Sequence, residues 1–349
     1  MKIAQVSPLV ESVPPKLYGG SERVVSYLTE ELVRQGHDVT LFASGDSRTR
    51  AELVPIVPEA LRLSKVHDSP EIHTILMVEA VCKRASDFDI IHFHLDTLHF
   101  PLTRRMERPS VTTLHGRLDL PDLAPLFDEY RDIPVISISN SQRGPLPQAN
   151  WQATVYNGVP ESHFTFQTRP GQYLAFLGRI SPEKRADRAI EIARRAGIPL
   201  RIAAKVDKVD EQYFNERIKP LLRDPLIEFI GEIDEREKDA FLGGARALLL
   251  PIDWPEPFGL VMIEAMACGT PVIAYGHGAV PEVVDEGKTG YVVHDIDGAV
   301  RAVERLDAID RRICRETFET RFSASRMARD YVKVYHNMIH EREPLPRAV

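Results

Sequence analysis

The feature that most limits what this chain can fold into is an alternation of short apolar runs, glycine turns and helical patterns. Residues 3–6 form an apolar run, and a long loop then leads to Gly19 and Gly20. A helical pattern of apolar residues follows and stops at Gly36, after which residues 39–43 form a second apolar run. The order strand, glycine turn, helix, strand is typical of a βαβ unit and predicts a parallel sheet.

The same alternation begins again in the second half of the chain. Residues 173–177 are predicted to form a buried strand ended by Gly178, and a helix capped by Ser181 is expected to run from Pro182 to about Ala196. Further strands are predicted at residues 90–93, 110–114, 134–139, 200–204, 227–230, 247–250 and 271–275. Two successive units of this kind predict an α/β fold with two Rossmann-like domains.

The domain junction is predicted at the turn signal Asn157-Gly158-Val159-Pro160. We expect an N-terminal domain of residues 1–160, completed by about 322–349, and a C-terminal domain of residues 161–321. The length of 349 residues fits two domains. The last helix should bury an apolar stripe made of Met327, Tyr331, Val334, Tyr335 and Met338.

Composition excludes several classes of protein. The chain has 44 Lys and Arg against 51 Asp and Glu, a net charge of −7, which argues against coating nucleic acid or an anionic membrane. Its 3 cysteines form no CxxC pattern and no disulfide framework, which suits a reducing compartment. No apolar run is long enough to span a membrane, and the N-terminus does not resemble a signal peptide. We therefore expect a cytoplasmic protein.

The stretch PEPFGLVMIEAMACGTPVIA, from residue 255, holds the most informative chemistry. A loop carries Glu256, and a helix is expected to begin near Phe258, Gly259 and Leu260, whose free backbone N–H groups would bind an anion. Glu264 follows on that helix. If most of the span is helical, the two carboxylates lie roughly 10–12 Å apart along the axis, the scale of a nucleotide sugar. Solvated carboxylates beside an amphipathic helix are the alternative.

A second stretch, LGRISPEK, carries two cations. Arg179 is expected at a strand end and Lys184 in the first turn of the next helix, so both would face the crevice beyond the carboxyl ends of the strands. A cation so early in a helix opposes the helix dipole, which favours a functional role. Two such cations would stabilise a departing diphosphate; a solvated basic turn is the alternative.

These two stretches resemble the EPFG…E motif and the Gly-Arg…Lys element of glycosyltransferase family 4, retaining enzymes of the GT-B fold. The resemblance extends over nearly the whole chain. One departure is Arg185, because the family usually has glycine after this lysine. The resemblance implies two Rossmann-like domains facing a deep cleft, with a C-terminal helix from about Phe322 that crosses back to the N-terminal domain.

The resemblance also implies roles for individual residues of the C-terminal domain, which would bind a nucleotide-diphosphate sugar as co-substrate. Arg179 and Lys184 would stabilise the leaving diphosphate, Glu256 would orient the sugar, and Glu264 would accept hydrogen bonds from the ribose. Glu282 is a further donor-side candidate. The family transfers the sugar with retention and without a metal ion, the leaving diphosphate oxygen accepting the proton of the acceptor. No other cofactor is expected.

The N-terminal domain carries the remaining candidates. Gly19 and Gly20 resemble the family's glycine loop that touches the donor, but they form no GxGxxG, so dinucleotide binding is not indicated. A plain turn is the alternative. His115 matches the family's Thr-x-His position beside the transferred sugar, or it is a hydrogen-bonded structural histidine. His94 and Asp96 are candidates for the acceptor side, or structural residues.

Metal sites are not expected. We expect the imidazoles of His92 and His94 to point to opposite faces of their strand and so not to share a metal ion. Asp87-Phe88-Asp89 has the DxD pattern of a different glycosyltransferase fold, but it directly precedes a predicted strand and is interpreted as a cap. Asp295-Ile296-Asp297-Gly298 lacks the full calcium-loop spacing and is interpreted as a turn and helix cap.

The sequence thus predicts a hexosyltransferase that uses a nucleotide-diphosphate sugar, UDP-glucose first and GDP-mannose second. A nucleotide-sugar epimerase of the same architecture and a non-catalytic sugar-nucleotide-binding protein remain as alternatives. The acceptor, whether a small molecule, a glycan or a lipid-linked sugar, is not specified. The basic cluster at residues 104–108 is open to two interpretations, a peripheral membrane contact or a solvated turn.

Overall fold

The computed structural model describes residues 1–17, 19–62, 64 and 69–342. By their contacts these residues form two compact units. Unit 1 comprises Met1–Gly158 together with the C-terminal segment from Ala324, and unit 2 comprises Val159–Ser323. The boundaries expected from the sequence lie at residue 160 and at about residue 322.

Each unit is built on one parallel sheet. The described part of unit 1 has a seven-stranded sheet in the order β3-β2-β1-β4-β5-β6-β7, and unit 2 has a six-stranded sheet in the order β10-β9-β8-β11-β12-β13. The strands of unit 1 are β1 (Lys2–Val6), β2 (Asp38–Ser44), β3 (Glu52–Val57), β4 (Ile90–Phe93), β5 (Ser110–Thr113), β6 (Pro134–Ser137) and β7 (Asn150–Thr154). Those of unit 2 are β8 (Tyr173–Ile180), β9 (Leu200–Val206), β10 (Ile227–Gly231), β11 (Ala245–Leu250), β12 (Val272–Tyr275) and β13 (Gly290–Val293).

Helices connect most of these strands. They are α1 (Gly20–Arg34), α2 (Pro70–Lys83), α3 (Phe100–Thr103), α4 (Leu123–Glu129), α5 (Ala186–Ala196), α6 (Glu211–Tyr213), α7 (Glu235–Gly243), α8 (Leu260–Ala267), α9 (Val280–Val283), α10 (Ile296–Glu304), α11 (Arg311–Arg321) and α12 (Ala324–Arg342). Where the structure describes the chain, no helix has both the length and the apolar character needed to cross a bilayer.

The two sheets confirm the predicted pair of Rossmann-like α/β units. In each sheet the first strand, β1 or β8, lies beside the fourth, β4 or β11, so the strand order reverses between them. Such a reversal is the switch point of a doubly wound sheet, where ligands bind beyond the carboxyl ends of the strands. The fold therefore marks one candidate position in each unit.

The C-terminal helix belongs to unit 1. In α12 the side chains of Met327, Tyr331 and Tyr335 are fully buried, and Val334 and Met338 are buried as well, which confirms the predicted apolar stripe. A single amphipathic face of this length supplies most of the stability of such a helix, because helix propensity alone is weak in water.

Three strands were not anticipated from the sequence. β3, β7 and β13 each lie at an edge of their sheet. β3 and β7 are half-buried along most of their length, and β3 contains Pro55, which an edge strand tolerates. Half-buried strands such as β3 and β7 need no continuous apolar run, whereas β13 is mostly buried but only four residues long.

The predicted end of β8 and start of α5 are wrong. β8 continues through Gly178 and Arg179 to Ile180, so Arg179 lies inside the strand. Residues 181–184 form a β-turn in which the Lys184 N–H donates to Ser181 O at 3.1 Å, with Pro182 at the second position that turns favour. Arg185 then adopts a left-handed conformation, φ 55°, which delays the helix to Ala186. Lys184 therefore does not lie in a helix, and the argument from the helix dipole does not apply to it.

Candidate functional site

The loops that follow β8 and β11 form the candidate site of unit 2. They leave adjacent strands at the switch point of the sheet, and the Asp253 N–H donates to Glu183 O at 2.8 Å across them. The first loop carries Lys184 and the second carries Glu256. The topology therefore brings together two residues that are far apart in the sequence.

Lys184 and Glu256 form an ion pair between Nζ and Oε2. The Trp254 indole Nε1 donates to the same carboxylate oxygen at 3.1 Å, and Lys184 Nζ lies 4.8 Å from the centroid of the indole ring. Glu256 is only 9% exposed, so both donors compensate a largely desolvated charge. The sequence analysis did not identify Trp254. The feature that could have identified it is an aromatic residue two positions before the motif glutamate.

A glycine holds the backbone of Glu256 in place. Gly278 has a φ of 60°, and a Cβ atom there would lie 2.3 Å from Glu256 O and 2.4 Å from Glu256 N. The next residue, Ala279, donates its N–H to Glu256 O at 2.9 Å. Close approach of two backbones at this point requires glycine. Glu282, the weaker donor-side candidate, lies on α9, which begins directly after this contact.

Arg179 is surrounded by carboxylates. Its guanidinium contacts Glu183 at 2.5 Å, and it lies 3.7 Å from Asp210 and 3.9 Å from Asp207. Burial raises the pKa of Asp210. The sequence analysis did not connect Asp207 or Asp210 with Arg179. In this structure the charge of Arg179 is therefore compensated by the protein itself.

The start of α8 is the candidate anion site. Gly259 precedes Leu260 with a φ of 81°, and Phe258 is buried and packs edge-on against Phe322 with ring centroids 6.1 Å apart. The first N–H groups of a helix have no acceptor within the helix and carry its positive dipole end. The helix of eight residues begins where the sequence predicts it.

Glu264 lies on α8 and is almost fully buried, 2% exposed. Its Oε1 pairs with Lys238 Nζ at 3.0 Å, and that ammonium also lies 3.4 Å from Glu235. Lys238 was not identified from the sequence. Of the nine residues from Glu256 to Glu264, only those from Leu260 onward are helical. The axial distance between the two carboxylates that was calculated for a mostly helical span therefore does not apply.

In unit 1 the two candidate glycines differ. A Cβ atom at Gly19 would lie 2.8 Å from Pro15 Cβ, whereas one at Gly20 would meet nothing within 4 Å. Gly20 is the first residue of α1. Steric crowding thus accounts for glycine at position 19 alone.

The orientation predicted for His92 and His94 is wrong. Side chains at positions i and i+2 of a strand share a face, and the two rings lie with their centroids 4.0 Å apart. Both histidines take part in hydrogen bonds instead: His92 Nε2 lies 2.7 Å from Thr113 Oγ1, and His94 Nε2 lies 2.9 Å from Gln5 Oε1. The pair therefore belongs to a buried polar network.

His94 and His115 are in direct contact beyond the carboxyl ends of β4 and β5, next to the switch point of unit 1. His94 follows β4 and His115 comes two residues after the end of β5, and His94 Nδ1 lies 2.8 Å from His115 Nε2. Burial lowers the pKa of His115 to about 4 and lowers that of His94 well below its usual value. Both imidazoles are therefore neutral near pH 7. Asp96, an exposed residue, adopts a left-handed conformation with a φ of 52°, a strained backbone of the kind found at functional sites.

The residues set aside as metal-site look-alikes have other partners. Asp89 accepts a hydrogen bond from the Lys2 N–H at 2.7 Å, and Asp87 pairs with Arg84 at 3.2 Å. Asp295 accepts from the Gly298 N–H at 2.6 Å and caps α10, as predicted. Among the residues the structure describes, no three His, Cys, Asp or Glu side chains come together as metal ligands would.

The basic cluster at residues 104–108 is partly neutralised. Arg104 pairs with Glu129 at 2.7 Å and with Asp132 at 3.0 Å. The Arg105 guanidinium donates to the Pro101 carbonyl oxygen. The two carboxylates compensate the charge of Arg104, whereas the bond to a neutral carbonyl leaves the charge of Arg105 in place.

Comparison with known proteins gives the family. Residues 18–175 match the family model described as Glycosyltransferase Family 4, and residues 162–311 match the model described as Glycosyl transferases group 1. Glycogen synthase of Mycobacterium tuberculosis (strain CDC 1551 / Oshkosh) is 27% identical over 397 aligned residues, covering 96% of this chain and 95% of that protein. Phosphatidyl-myo-inositol mannosyltransferase of Mycolicibacterium smegmatis is 26% identical over 87% of this chain and 84% of that protein.

A solved structure supports the fold. The crystal structure of Anabaena Alr3699/HepE in complex with UDP and glucose superimposes with a TM-score of 0.74 at 18% identity, covering 97% of this chain and 100% of that chain. At this identity the likeness concerns the fold alone.

Proposed function

Since this chain belongs to the glycosyltransferases of the GT-B type, family 4, we propose that it transfers a hexose from a nucleotide-diphosphate sugar to a hydroxyl acceptor, with retention of anomeric configuration and without a metal ion. UDP-glucose is the first candidate donor and GDP-mannose the second. The observation that carries the proposal is the cluster of Lys184, Glu256 and Trp254 beside the start of α8, at the switch point of unit 2.

The donor is held by unit 2 in this proposal. The diphosphate lies at the N–H groups of Phe258, Gly259 and Leu260, and Lys184 turns from Glu256 to the phosphate oxygens. Glu256 is then left to accept hydrogen bonds from the sugar hydroxyls. The exchange of partners keeps each charge compensated in a site with little water.

Glu264 accepts hydrogen bonds from the ribose hydroxyls, and Lys238 holds its carboxylate in place. Arg179 and Lys184 stabilise the negative charge that develops on the leaving diphosphate, which is the usual contribution of such cations to group transfer. Glu282 is a further donor-side residue, and Gly19 and Gly20 are the donor-side candidates of unit 1.

The transfer exchanges one bond at the anomeric carbon for another. The bond from C1 to the β-phosphate oxygen breaks, the bond from C1 to the acceptor oxygen forms on the same face, and the acceptor proton passes to the departing phosphate oxygen. No dedicated general base is required. His115 contacts the transferred sugar as a neutral imidazole, and His94 and Asp96 lie on the acceptor side.

The names of similar proteins support the choice of sugar. The HepE complex contains UDP and glucose, and the relative from Mycolicibacterium smegmatis is a mannosyltransferase. These facts favour UDP-glucose as the first candidate and keep GDP-mannose as the second.

The proposal is tested by incubating the protein with UDP-, GDP- and ADP-sugars, with EDTA and without an acceptor, and measuring the free nucleoside diphosphate. Slow release from one donor, unaffected by EDTA, is the expected result. Conversion of a donor to an isomeric nucleotide sugar would identify an epimerase instead. Absence of both release and nucleotide binding by calorimetry would contradict the proposal.

A further inference from the structure

A chain of hydrogen bonds inside unit 1 connects His115 to the C-terminal helix. His115 Nε2 lies 2.8 Å from His94 Nδ1, and His94 Nε2 lies 2.9 Å from Gln5 Oε1. The Gln5 Nε2 donates to the Tyr335 hydroxyl at 3.1 Å, and that hydroxyl lies 2.7 Å from His92 Nδ1. Beyond Tyr335 the chain continues from His92 Nε2 to Thr113 Oγ1, at 2.7 Å, and from there to the Tyr331 hydroxyl.

The chain joins residues that are distant in the sequence. Gln5 is on β1, His94 follows β4, and Tyr335 is on α12, and all three are buried. His115 is half-buried and forms the accessible end. Burying this many polar groups costs free energy unless every donor meets an acceptor, so the order of donation along the chain is constrained.

The amide of Gln5 sets the direction of donation. Because Gln5 Oε1 faces His94 Nε2, His94 carries its proton on Nε2 and accepts at Nδ1. His115 must then donate from Nε2 to His94 Nδ1. At the other side, the Tyr335 hydroxyl accepts from Gln5 and donates to His92 Nδ1, so His92 also carries its proton on Nε2.

General imidazole chemistry favours this direction. A neutral histidine side chain prefers the proton on Nε2, and here all three histidines carry it there. Rotation of the Gln5 amide by half a turn would reverse every bond and place all three protons on Nδ1. The three histidines are thus coupled and change tautomer together rather than singly.

We propose that Gln5 and Tyr335 are positioning residues that fix His94, and through it His115, as the Nε2–H tautomer, so that Nδ1 of His115 is left as a hydrogen-bond acceptor for a sugar hydroxyl. Within the described residues, Nδ1 of His115 makes no hydrogen bond. The assignment of a sugar as the ligand of His115 rests on the proposed function, whereas the assignment of its tautomer does not. The sugar hydroxyl donates and His115 accepts.

Tyr331 provides a matched control. It is a tyrosine on the same helix, equally buried, but its hydroxyl contacts Thr113 Oγ1 at 3.0 Å, beyond His92 and outside the route from Tyr335 to His115. A merely structural role for buried hydroxyl groups predicts similar effects for Tyr331→Phe and Tyr335→Phe. The proposal predicts a change in the tautomer of His115 only for Tyr335→Phe.

The first experiment measures the tautomer in the whole protein without any donor. Nitrogen-15 spectra of the histidine side chains, with His115 assigned through the His115→Gln variant, should show the proton of His115 on Nε2. In Gln5→Met and in Tyr335→Phe the His115 signals should shift toward those of a mixture of tautomers. In Tyr331→Phe they should be the same as in the wild type. A wild-type proton on Nδ1, or a His115 signal unchanged in Gln5→Met, would overturn the proposal.

The second experiment measures the consequence for turnover. Gln5→Met and Tyr335→Phe should lower kcat for donor hydrolysis about 3- to 10-fold, the effect of one misdirected hydrogen bond, while UDP affinity by calorimetry stays the same. Tyr331→Phe should remain within about twofold of the wild type. Equal losses in the two tyrosine variants would contradict a positioning role. Absence of wild-type activity with every donor would instead remove the proposed function and leave the tautomer result intact.

Discussion

At the residue scale, the candidate donor site is a set of compensated charges. Lys184 neutralises Glu256, Lys238 neutralises Glu264, and Arg179 lies among three carboxylates. Each candidate cation or carboxylate thus already has a partner in the structure. Donor binding must exchange these partners, and substitutions of single members should separate their roles.

Replacing Lys184 by alanine should lower the rate of donor hydrolysis about 10²- to 10³-fold, because a preorganised cation facing the leaving diphosphate is lost. Arg179→Ala should act in the same direction. The rate of nucleoside diphosphate release checks both. Arg195→Ala is the control, since Arg195 is an exposed cation of the same βα unit that pairs with Asp297. A near-normal rate in folded Lys184→Ala protein would refute its role.

Replacing Glu264 by alanine should weaken UDP binding by about tenfold or more, because charge-assisted hydrogen bonds to the ribose are lost. Lys238 keeps a partner in Glu235, so the variant leaves no unpaired buried cation. Calorimetry with UDP measures the change. Glu228→Ala, which removes a carboxylate exposed on β10, should bind UDP as the wild type does. Equal affinities for the two variants would exclude the ribose assignment.

At the scale of elements, turns and loops rather than helices place Lys184 and Glu256. Lys184 is the last residue of a β-turn instead of opening a helix, and Arg185 adopts a left-handed backbone before α5 begins. Glu256 lies in a loop whose backbone contacts Gly278. A loop held by backbone contacts of this kind is sensitive to an added Cβ atom.

Gly278→Ala should therefore cost stability and activity together. A left-handed alanine costs about 1–2 kcal/mol, and the clash with the Glu256 backbone adds about 1–3 kcal/mol of overpacking. Gly287 is a matched control, because its φ of 72° is similar but a Cβ atom there meets nothing within 4 Å.

Thermal unfolding and donor hydrolysis measure the two effects. Gly287→Ala should show the backbone cost alone and retain activity, whereas Gly278→Ala should lose more stability and most of its activity. Equal losses of stability with full activity in both variants would show that the Gly278 contact does not position Glu256.

At the scale of the whole molecule, the two units should differ in their response to acid. Unit 1 holds four neutral histidines, of which His92, His94 and His99 are buried and His115 is half-buried. Desolvation lowers the pKa of His115 to about 4 and of His99 to about 3. In the unfolded chain each would titrate near its ordinary value of about 6.5.

Unit 1 should thus lose stability as the pH falls below about 6.5. Between that pH and the folded pKa the unfolded state binds more protons, so the free energy of unfolding rises with pH, by up to about 1.4 kcal/mol per pH unit for each histidine. The loss should continue down to about pH 4 for His115.

The two tryptophans of the chain, Trp151 in unit 1 and Trp254 in unit 2, make this measurable. Urea unfolding followed by fluorescence in Trp254→Phe reports unit 1, and in Trp151→Phe it reports unit 2. The unit 1 midpoint should fall more steeply between pH 7 and 5. Parallel shifts of both midpoints would contradict the prediction.

Much of the fold was predictable because its signals are local. The strand at residues 247–250 is a continuous apolar run, typical of buried parallel strands, and the run at 90–93 is interrupted by His92 alone. Gly36 and Gly197 end α1 and α5 in left-handed conformations. The edge strands β3 and β7 were not predicted, because half-buried strands need no continuous apolar run.

The sequence by itself determined the parallel α/β architecture, the end of β11 and the loop after it, and the motif residues Lys184 and Glu256, since periodicity and turn residues act over a few positions. Only the tertiary structure decided which side chains meet: Trp254 on Glu256, Lys238 on Glu264, Gly278 against the Glu256 backbone, and Tyr335 on Gln5. Except for Trp254 and Glu256, which are two residues apart, these contacts join segments tens to hundreds of residues apart. Hydrogen bonds and ion pairs depend on distances of a few ångströms, which the folded chain sets and no local pattern records.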